Sequence, residues 1–234
     1  IGARASPHKV GHMILSNLLT QGINGDVHAV NIKGEVILGK KSFKMIGEIP
    51  GAVDTAIIVT PAPTVPGVIK ECVAKGVKTA VIITAGFSET HTDEGSALEK
   101  KIVEAAKSQI ANGKSQIRLI GPNCLGILIP SIGLNASFAK DLPKAGSIAL
   151  VSQSGALAVA LIDQSLSLGI GYSQILSIGN KALMDECDFL EELGSDPKTN
   201  VIGLYLESIK DGRRFLKTAE KIGKTKPIVL LKSG

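Results

Sequence analysis

From end to end the chain alternates short aliphatic runs with stretches of helical spacing, and few folds accept such a pattern. Strand-like runs fall at Val27–Asn31, Thr55–Thr60, Thr79–Gly86 and Ile117–Pro122, with helices expected over Lys9–Gln21, Thr64–Lys75 and Asp93–Ser108. A stop rich in charge, Pro and Gly interrupts the pattern at Ala139–Gly146, and the alternation then restarts. Strands at Ser147–Val151, Ser173–Ile178, Val201–Leu206 and Ile228–Leu231 are interleaved with helices at Gly155–Leu168, Met184–Leu193 and Gly212–Ile222. Repeated strand–helix–strand units read as parallel sheets covered by helices. Runs of Val, Ile and Leu suit strands buried on both faces. The expectation is α/β, two doubly wound parallel-sheet domains at residues 1–141 and 142–234. Aromatic residues are only 3% of the 234, with no Trp, so the core must be aliphatic.

Several classes of function fit poorly. The net charge of +5 permits a nucleic-acid partner, but the lysines are scattered and the few aromatics form no stacking platform. No apolar run reaches the ~18–20 residues needed to cross a bilayer, and no signal peptide is visible. Cys72, Cys124 and Cys187 include no C-x-x-C pair, which suits a reducing, cytoplasmic setting better than a disulfide framework. The chain opens on IGARAS, as if inside the end of a truncated first strand, and closes on KPIVLLKSG just after another, so a part of something longer is expected.

The candidate site residues gather at strand ends. In GARASPHKVGH, Gly2 and Gly11 flank a short loop before a helix, where phosphates dock in doubly wound sheets; a plain strand-to-helix turn fits the same residues. Dinucleotide-binding sheets that take NAD carry an acid at the end of the second strand. Here that strand ends VNIKGE, and Lys33 stands in the neighbourhood, which suits an adenosine with an extra phosphate, as in NADP or coenzyme A, or simply a solvated loop. The TPAP loop (Thr60–Pro63) and ITAGF (Ile83–Phe87) end the next two strands with stiff or small residues that let a ligand lie against the backbone. In the second half, IALVSQSGALA runs a strand into Ser152, Gln153, Ser154 and Gly155 and then a helix, whose free amides and two hydroxyls suit an anion, although Ser is also a common cap with no ligand. Glu207 is the lone acid ending VIGLYLES. His8 and His12 are four apart but lack a Cys or carboxylate partner, so no metal site is expected.

RLIGPNCLGI (Arg118–Ile127) resembles the G-P-N-C-x-G signature of the succinyl-CoA synthetase α-subunit superfamily. GLNASFAKDLPKAGSIALVSQSGALA and GIGYSQILSIGNKALMDECDFLEEL are similar to its NDP-forming acyl-CoA synthetase branch, which includes ADP-forming acetate–CoA ligase. The resemblance continues through LYLESIKDGRRFL and covers essentially the whole chain. It implies a Rossmann-like CoA-binding domain followed by a flavodoxin-like domain. The implied reaction is acyl-CoA, phosphate and ADP giving acid, CoA and ATP through an acyl phosphate and a phosphohistidine. Carried over, Ala3, Arg4, Ala5 and Ser6 would meet the CoA phosphates, Lys33 the adenosine end, and Pro61, Ile83, Thr84 and Ala85 the body of the cofactor. Ser152, Ser154 and Gly155 would hold phosphate, and Glu207 would orient the phosphorylated histidine. Asn123 could donate to an acyl carbonyl or a phosphate, with Cys124 packed beside the thioester as a small residue more than as a nucleophile.

None of His8, His12, His28 and His91 lies in the Gly-rich Ser-His-Thr-Gly context of the phospho-acceptor, which in the family follows the KSG at which the chain stops. The resemblance therefore places the phosphohistidine beyond this chain. Mg-ADP or Mg-ATP would likewise be bound by an ATP-grasp domain or β subunit, in an oligomer acting on a small acyl substrate. The competing reading is a regulatory CoA-binding module of a protein-lysine acetyltransferase. An NADP-dependent oxidoreductase is disfavoured because no acid–base pair for hydride transfer is visible.

Overall fold

The computed structural model describes residues 1–108 and 116–233. Helix α1 (Val10–Thr20) follows the opening loop, and a small antiparallel ribbon of β1 (Val36–Ile37) and β2 (Lys40–Lys41) comes next. Strands β3 (Thr55–Ile58), β4 (Thr79–Ile82) and β5 (Arg118–Ile120) form a parallel sheet in that order, with α2 (Val65–Lys75) and α3 (Asp93–Lys107) between them in the chain. Residues 1–3 extend this sheet: the Val59 amide donates to the Ile1 carbonyl, and the Gly2 and Ala3 amides donate to the Val30 carbonyl. The strand expected at Val27–Asn31 is reduced to one bridge between Val30 and Phe43. Asn31 cuts it short, because its side-chain oxygen accepts from the Lys33 amide at 2.8 Å and turns the chain.

The second sheet has six strands: β6 (Gly126–Ile129), β7 (Leu134–Ser137), β8 (Ala145–Ser152), β9 (Tyr172–Ser177), β10 (Val201–Leu206) and β11 (Ile228–Lys232), ordered β11–β10–β8–β9–β6–β7. Strands β8 to β11 are parallel, as the alternation predicts, with α4 (Gly155–Leu168), α5 (Glu186–Ser195) and α6 (Gly212–Gly223) between them in the chain. The β6–β7 hairpin was not expected, and it makes the sheet mixed, since β6 runs antiparallel to β9 and β7 to β6. The second sheet thus begins at Gly126, ahead of the sequence division at 141/142. Only residues 130–133, a 3-10 turn over Pro130–Ile132 and Gly133, separate β6 from β7, and so short a connection permits antiparallel pairing alone.

Strand β7 (LNAS) lacks an apolar alternation because Asn135 and Ser137 are buried in it as a paired polar unit. The Asn135 amide donates to Gln21 Oε1 at 3.1 Å, and the Ser137 hydroxyl donates to Asn135 Oδ1 at 2.6 Å. Asn17 of α1 donates to the carbonyls of Ser137 and Ala139 at 2.9 and 2.8 Å. A helix of the first half is thereby fastened to the second sheet. The core crosses the seam as well: Val81, Ile83, Ile120 and Cys124 pack in one cluster with Val151, Leu176, Leu204 and Phe215.

Helix ends follow local chemistry. Thr92 caps α3 by accepting from the Gly95 amide, with Asp93 and Glu94 facing the positive end of the helix dipole. The acidic start MDECD is a reciprocal capping box at α5: the Asp185 side chain accepts from the Asp188 amide, and the Asp188 side chain accepts from the Asp185 amide.

Candidate functional site

The carboxyl edges of both sheets open onto one cleft of about 1140 Å³. Its first wall is the opening loop. Gly11, in the first turn of α1, lies so close to this loop that a Cβ would meet the Gly2 carbonyl oxygen at 2.3 Å. Gly2 itself sits at φ +91 against Val59 and Thr60. Both glycines therefore let the helix start, the loop and β3 converge, which explains the Gly2…Gly11 spacing. His12 Nδ1 lies 3.0 Å from the Arg4 carbonyl and, when protonated there, fixes the loop from behind. Arg4, Ala5 and Ser6 are exposed and line the cleft, while Lys33 stands exposed on its wall. Ala3 does not line it. Ala3 is buried, and its carbonyl accepts from the Asn31 side chain at 2.6 Å, so its part is to hold the loop.

The floor is built from Val59, Thr60 and Pro61 after β3 and from Ile83, Thr84 and Ala85 after β4. The Thr84 hydroxyl donates to the Thr60 carbonyl at 2.8 Å, tying the two strand ends together. Thr60 Oγ1 is buried and, among the described residues, has no partner. Such a hydroxyl is costly to keep unless a ligand completes it.

At the G-P-N-C turn the two sheets meet. Asn123 takes a left-handed conformation (φ +57), and its amide donates to the Thr84 carbonyl at 2.9 Å. Its side-chain amide donates to Asn180 Oδ1 at 3.3 Å, while the Asn180 and Ala182 amides donate to the carbonyls of Pro122 and Gly121. Asn180 in turn donates to Glu89 and Glu99 at 2.6 and 2.9 Å. Burial raises the Glu89 carboxyl, but hydrogen bonds from Asn180 and the Gly86 and Phe87 amides outweigh this and hold it below its ordinary value. Cys124 borders the cleft with its thiol turned to the Ile82 carbonyl at 3.3 Å. Burial pushes that thiol up to about 12, so it stays protonated and non-nucleophilic.

The far wall belongs to the second sheet. Ser154 caps α4, accepting from the Leu157 amide at 3.2 Å. The amides of Gly155 and Ala156 find no acceptor among the described residues, and both residues line the cleft. A Cβ at Gly155 would meet nothing nearer than 3.6 Å, so the fold itself does not demand glycine there. Ser152 lies outside the cleft: it is fully buried, and its hydroxyl donates to the Ser154 carbonyl at 2.7 Å, which shapes the turn from beneath. Glu207 is exposed at the end of β10 and borders the same cleft.

Gln153, which the sequence reading passed over between two serines, joins these walls. Its Oε1 accepts from the amides of Glu207 and Ser208 at 3.0 and 3.1 Å, and its Nε2 donates to the Ser208 hydroxyl at 3.1 Å. His12, for which the sequence pattern gives no metal site, holds the opening loop through the Arg4 carbonyl. Neither role had a local signal, because each depends on a partner distant in sequence. Arg4, Ala5, Ser6, Lys33, Pro61, Ile83, Thr84, Ala85, Asn123, Cys124, Ser154, Gly155 and Glu207 all border this single cleft.

Residues 1–130 match the family model described as a CoA binding domain, and residues 145–234 match a succinyl-CoA ligase like flavodoxin domain. An ADP-forming acetate–CoA ligase of Methanocaldococcus jannaschii is 47% identical over 234 residues, covering 100% of this chain and 32% of that protein. The α subunit of ADP-forming acetate–CoA ligase II from Pyrococcus furiosus is 44% identical over 235 residues, covering 100% of this chain and 49% of the subunit. Among solved structures, an acetyl-coenzyme A synthetase from Ca. Korarchaeum cryptofilum in complex with phosphate and ADP superposes with a TM-score of 0.89 at 40% identity, over 100% of this chain and 49% of that one. The chain spans about a third to a half of the length of these relatives.

Proposed function

Starting from a chain that belongs to the CoA-binding-domain family, among the NDP-forming acyl-CoA synthetases, we propose that residues 1–234 are the CoA- and phosphate-binding portion of an ADP-forming acid–CoA ligase. The carrying observation is that loops from two separate sheets converge on one cleft, with cations and a helix start on one wall and a second helix start on the other. The opening loop, with Arg4 and the amides at the start of α1, suits a diphosphate. Lys33 suits the extra phosphate that distinguishes CoA from NAD. The floor from Thr60 to Ala85 suits the pantetheine arm, leading the thiol toward Asn123.

Phosphate bound by the Gly155 and Ala156 amides and the Ser154 cap attacks the acyl carbonyl of the thioester. The carbon–sulfur bond breaks, CoA leaves as the thiol, and an acyl phosphate forms. The phosphoryl group then passes to a histidine outside this chain, releasing the acid, and from there to ADP, giving ATP. Glu207 accepts a hydrogen bond from that histidine, and Asn123 donates to the acyl carbonyl or the phosphate. Ala3 and Ser152 support this site from beneath without touching ligand. An ATP-grasp domain or β subunit brings Mg-ADP, in a cytoplasmic oligomer.

The test is calorimetric titration of the purified protein with CoA, dephospho-CoA and NADP. CoA is expected to bind at least tenfold more tightly than either of the others, and Lys33→Ala to erase the preference over dephospho-CoA. Equal affinities for all three, or a preference unchanged by the substitution, would overturn the reading.

A further inference from the structure

Behind the cleft lies an ion pair of a kind globular proteins rarely keep. Lys181 and Glu186 are 1% and 0% exposed, and Lys181 Nζ lies 2.8 Å from Glu186 Oε2. Lys181 also adopts a left-handed backbone (φ +58), a conformation that a side chain other than glycine adopts at a cost. Well-packed apolar residues usually serve stability as well as a buried pair does or better, so the pair is poorly explained as a stabiliser.

What it does supply is direction. Lys181 Nζ also donates to the Ser208 carbonyl at 2.7 Å, and Glu186 Oε1 accepts from the Lys210 amide at 3.2 Å. The Lys210 ammonium returns to the Lys181 carbonyl. These bonds fasten the turn after β9 to the residues immediately after Glu207. From the opposite side, Gln153 accepts from the amides of Glu207 and Ser208. The Glu207 peptide is therefore clamped between the turn that starts α4 and the turn that starts α5. The Glu207 carboxylate has no hydrogen bond or ion pair of its own among the described residues, so its place depends on how its backbone is held.

We propose that Lys181 and Glu186 form a positioning pair that fixes Glu207 toward the phosphoryl site. This rests on the role given to Glu207 above. Three variants of the full-length enzyme carry the test: Glu207→Gln, the double variant Lys181→Met with Glu186→Leu, and the triple combination. The double variant removes both charges, leaving neither buried alone. Measured in the direction of ATP formation, it is expected to lose about 10- to 100-fold in kcat, in proportion to a displaced catalytic group, while KM for CoA changes less than about twofold. The triple variant is expected to be no slower than Glu207→Gln, because effects acting through one group do not multiply.

A double variant with wild-type kcat, beside a slow Glu207→Gln, overturns the positioning role and leaves the function of Glu207 standing. A triple variant in which the two losses multiply also overturns it. Glu207→Gln at wild-type rate overturns both readings. If the double variant fails to fold, Lys181→Gln combined with Glu186→Gln keeps polar side chains of similar length with no lone buried charge and is read the same way: a several-fold loss of kcat that vanishes in the Glu207→Gln background supports the proposal, and a loss that persists there refutes it.

Discussion

Replacing Gly179 by alanine would test whether the seam between the two sheets is as rigid as its geometry implies. Gly179 sits at φ +51, and a Cβ there would stand 2.1 Å from the Pro122 carbonyl oxygen and 2.6 Å from that of Asn123. A left-handed conformation costs an L-residue about 1–2 kcal/mol. The clash is with backbone, which cannot rotate aside, so the turn after β9 has to lift from the G-P-N-C turn. That lengthens the bonds from the Asn180 and Ala182 amides to the Pro122 and Gly121 carbonyls, now 2.9 and 3.0 Å. Each such bond contributes about 0.5–1.5 kcal/mol. Together these give a loss of about 2–5 kcal/mol, or a Tm lower by roughly 4–20 °C for a protein of this size.

Urea unfolding followed by circular dichroism measures the loss directly. Because Asn123 and Cys124 ride on the displaced turn, CoA affinity should fall in the same variant. The matched control is Gly67→Ala on α2, where a Cβ meets nothing within 4 Å. It should be neutral or stabilise by up to ~1 kcal/mol. A Gly179→Ala protein within about 0.5 kcal/mol of wild type, with unchanged CoA affinity, would refute this account of the seam.

Ser154→Ala should cost ~0.5–2 kcal/mol by loss of the α4 cap and also weaken inorganic phosphate binding, whereas Ser152→Ala should cost stability alone; urea melts and phosphate titration separate the two. Thr60→Val removes a buried hydroxyl without a partner and should raise the ligand-free protein's stability by about 1 kcal/mol, so a lower Tm would contradict the assignment. Glu89 and Asp196 are both held below their ordinary values of 4.5 and 3.8; burial raises each, and hydrogen bonds, chiefly from Asn180 and from Thr199, outweigh it. Depressed carboxylates stabilise the fold fully above those values, and that contribution is lost as pH falls through the lower folded-state values. Acid titration of stability should therefore decline below about pH 4.5, and Glu89→Gln should flatten part of that slope.

The parallel strands β8 to β10 and their helices could be read from the sequence because strands covered by helices are nearly all aliphatic, and VIGLYL or SIALV shows that locally; β11 is equally aliphatic although it is largely exposed. The glycines of the opening loop and the Ser-Gln-Ser-Gly turn were readable for a similar reason: a tight turn or a capped helix restricts the residue type at the position itself. The β6–β7 hairpin was hidden because Asn135 and Ser137 are buried yet polar, a placement made tolerable by each other, by Gln21 and by the Ala139 backbone. Ser152 looked equivalent to Ser154 in sequence, but Ser152 is the last, buried residue of β8 with its hydroxyl beneath the turn, whereas Ser154 lies past the strand end and caps the helix. Gln153, Asn180 and the Lys181–Glu186 pair act across separations that leave no local pattern. Local backbone conformation is set largely by neighbours in sequence, whereas the burial of polar groups and the meeting of charges and amides from two sheets exist only once both have folded and share a core.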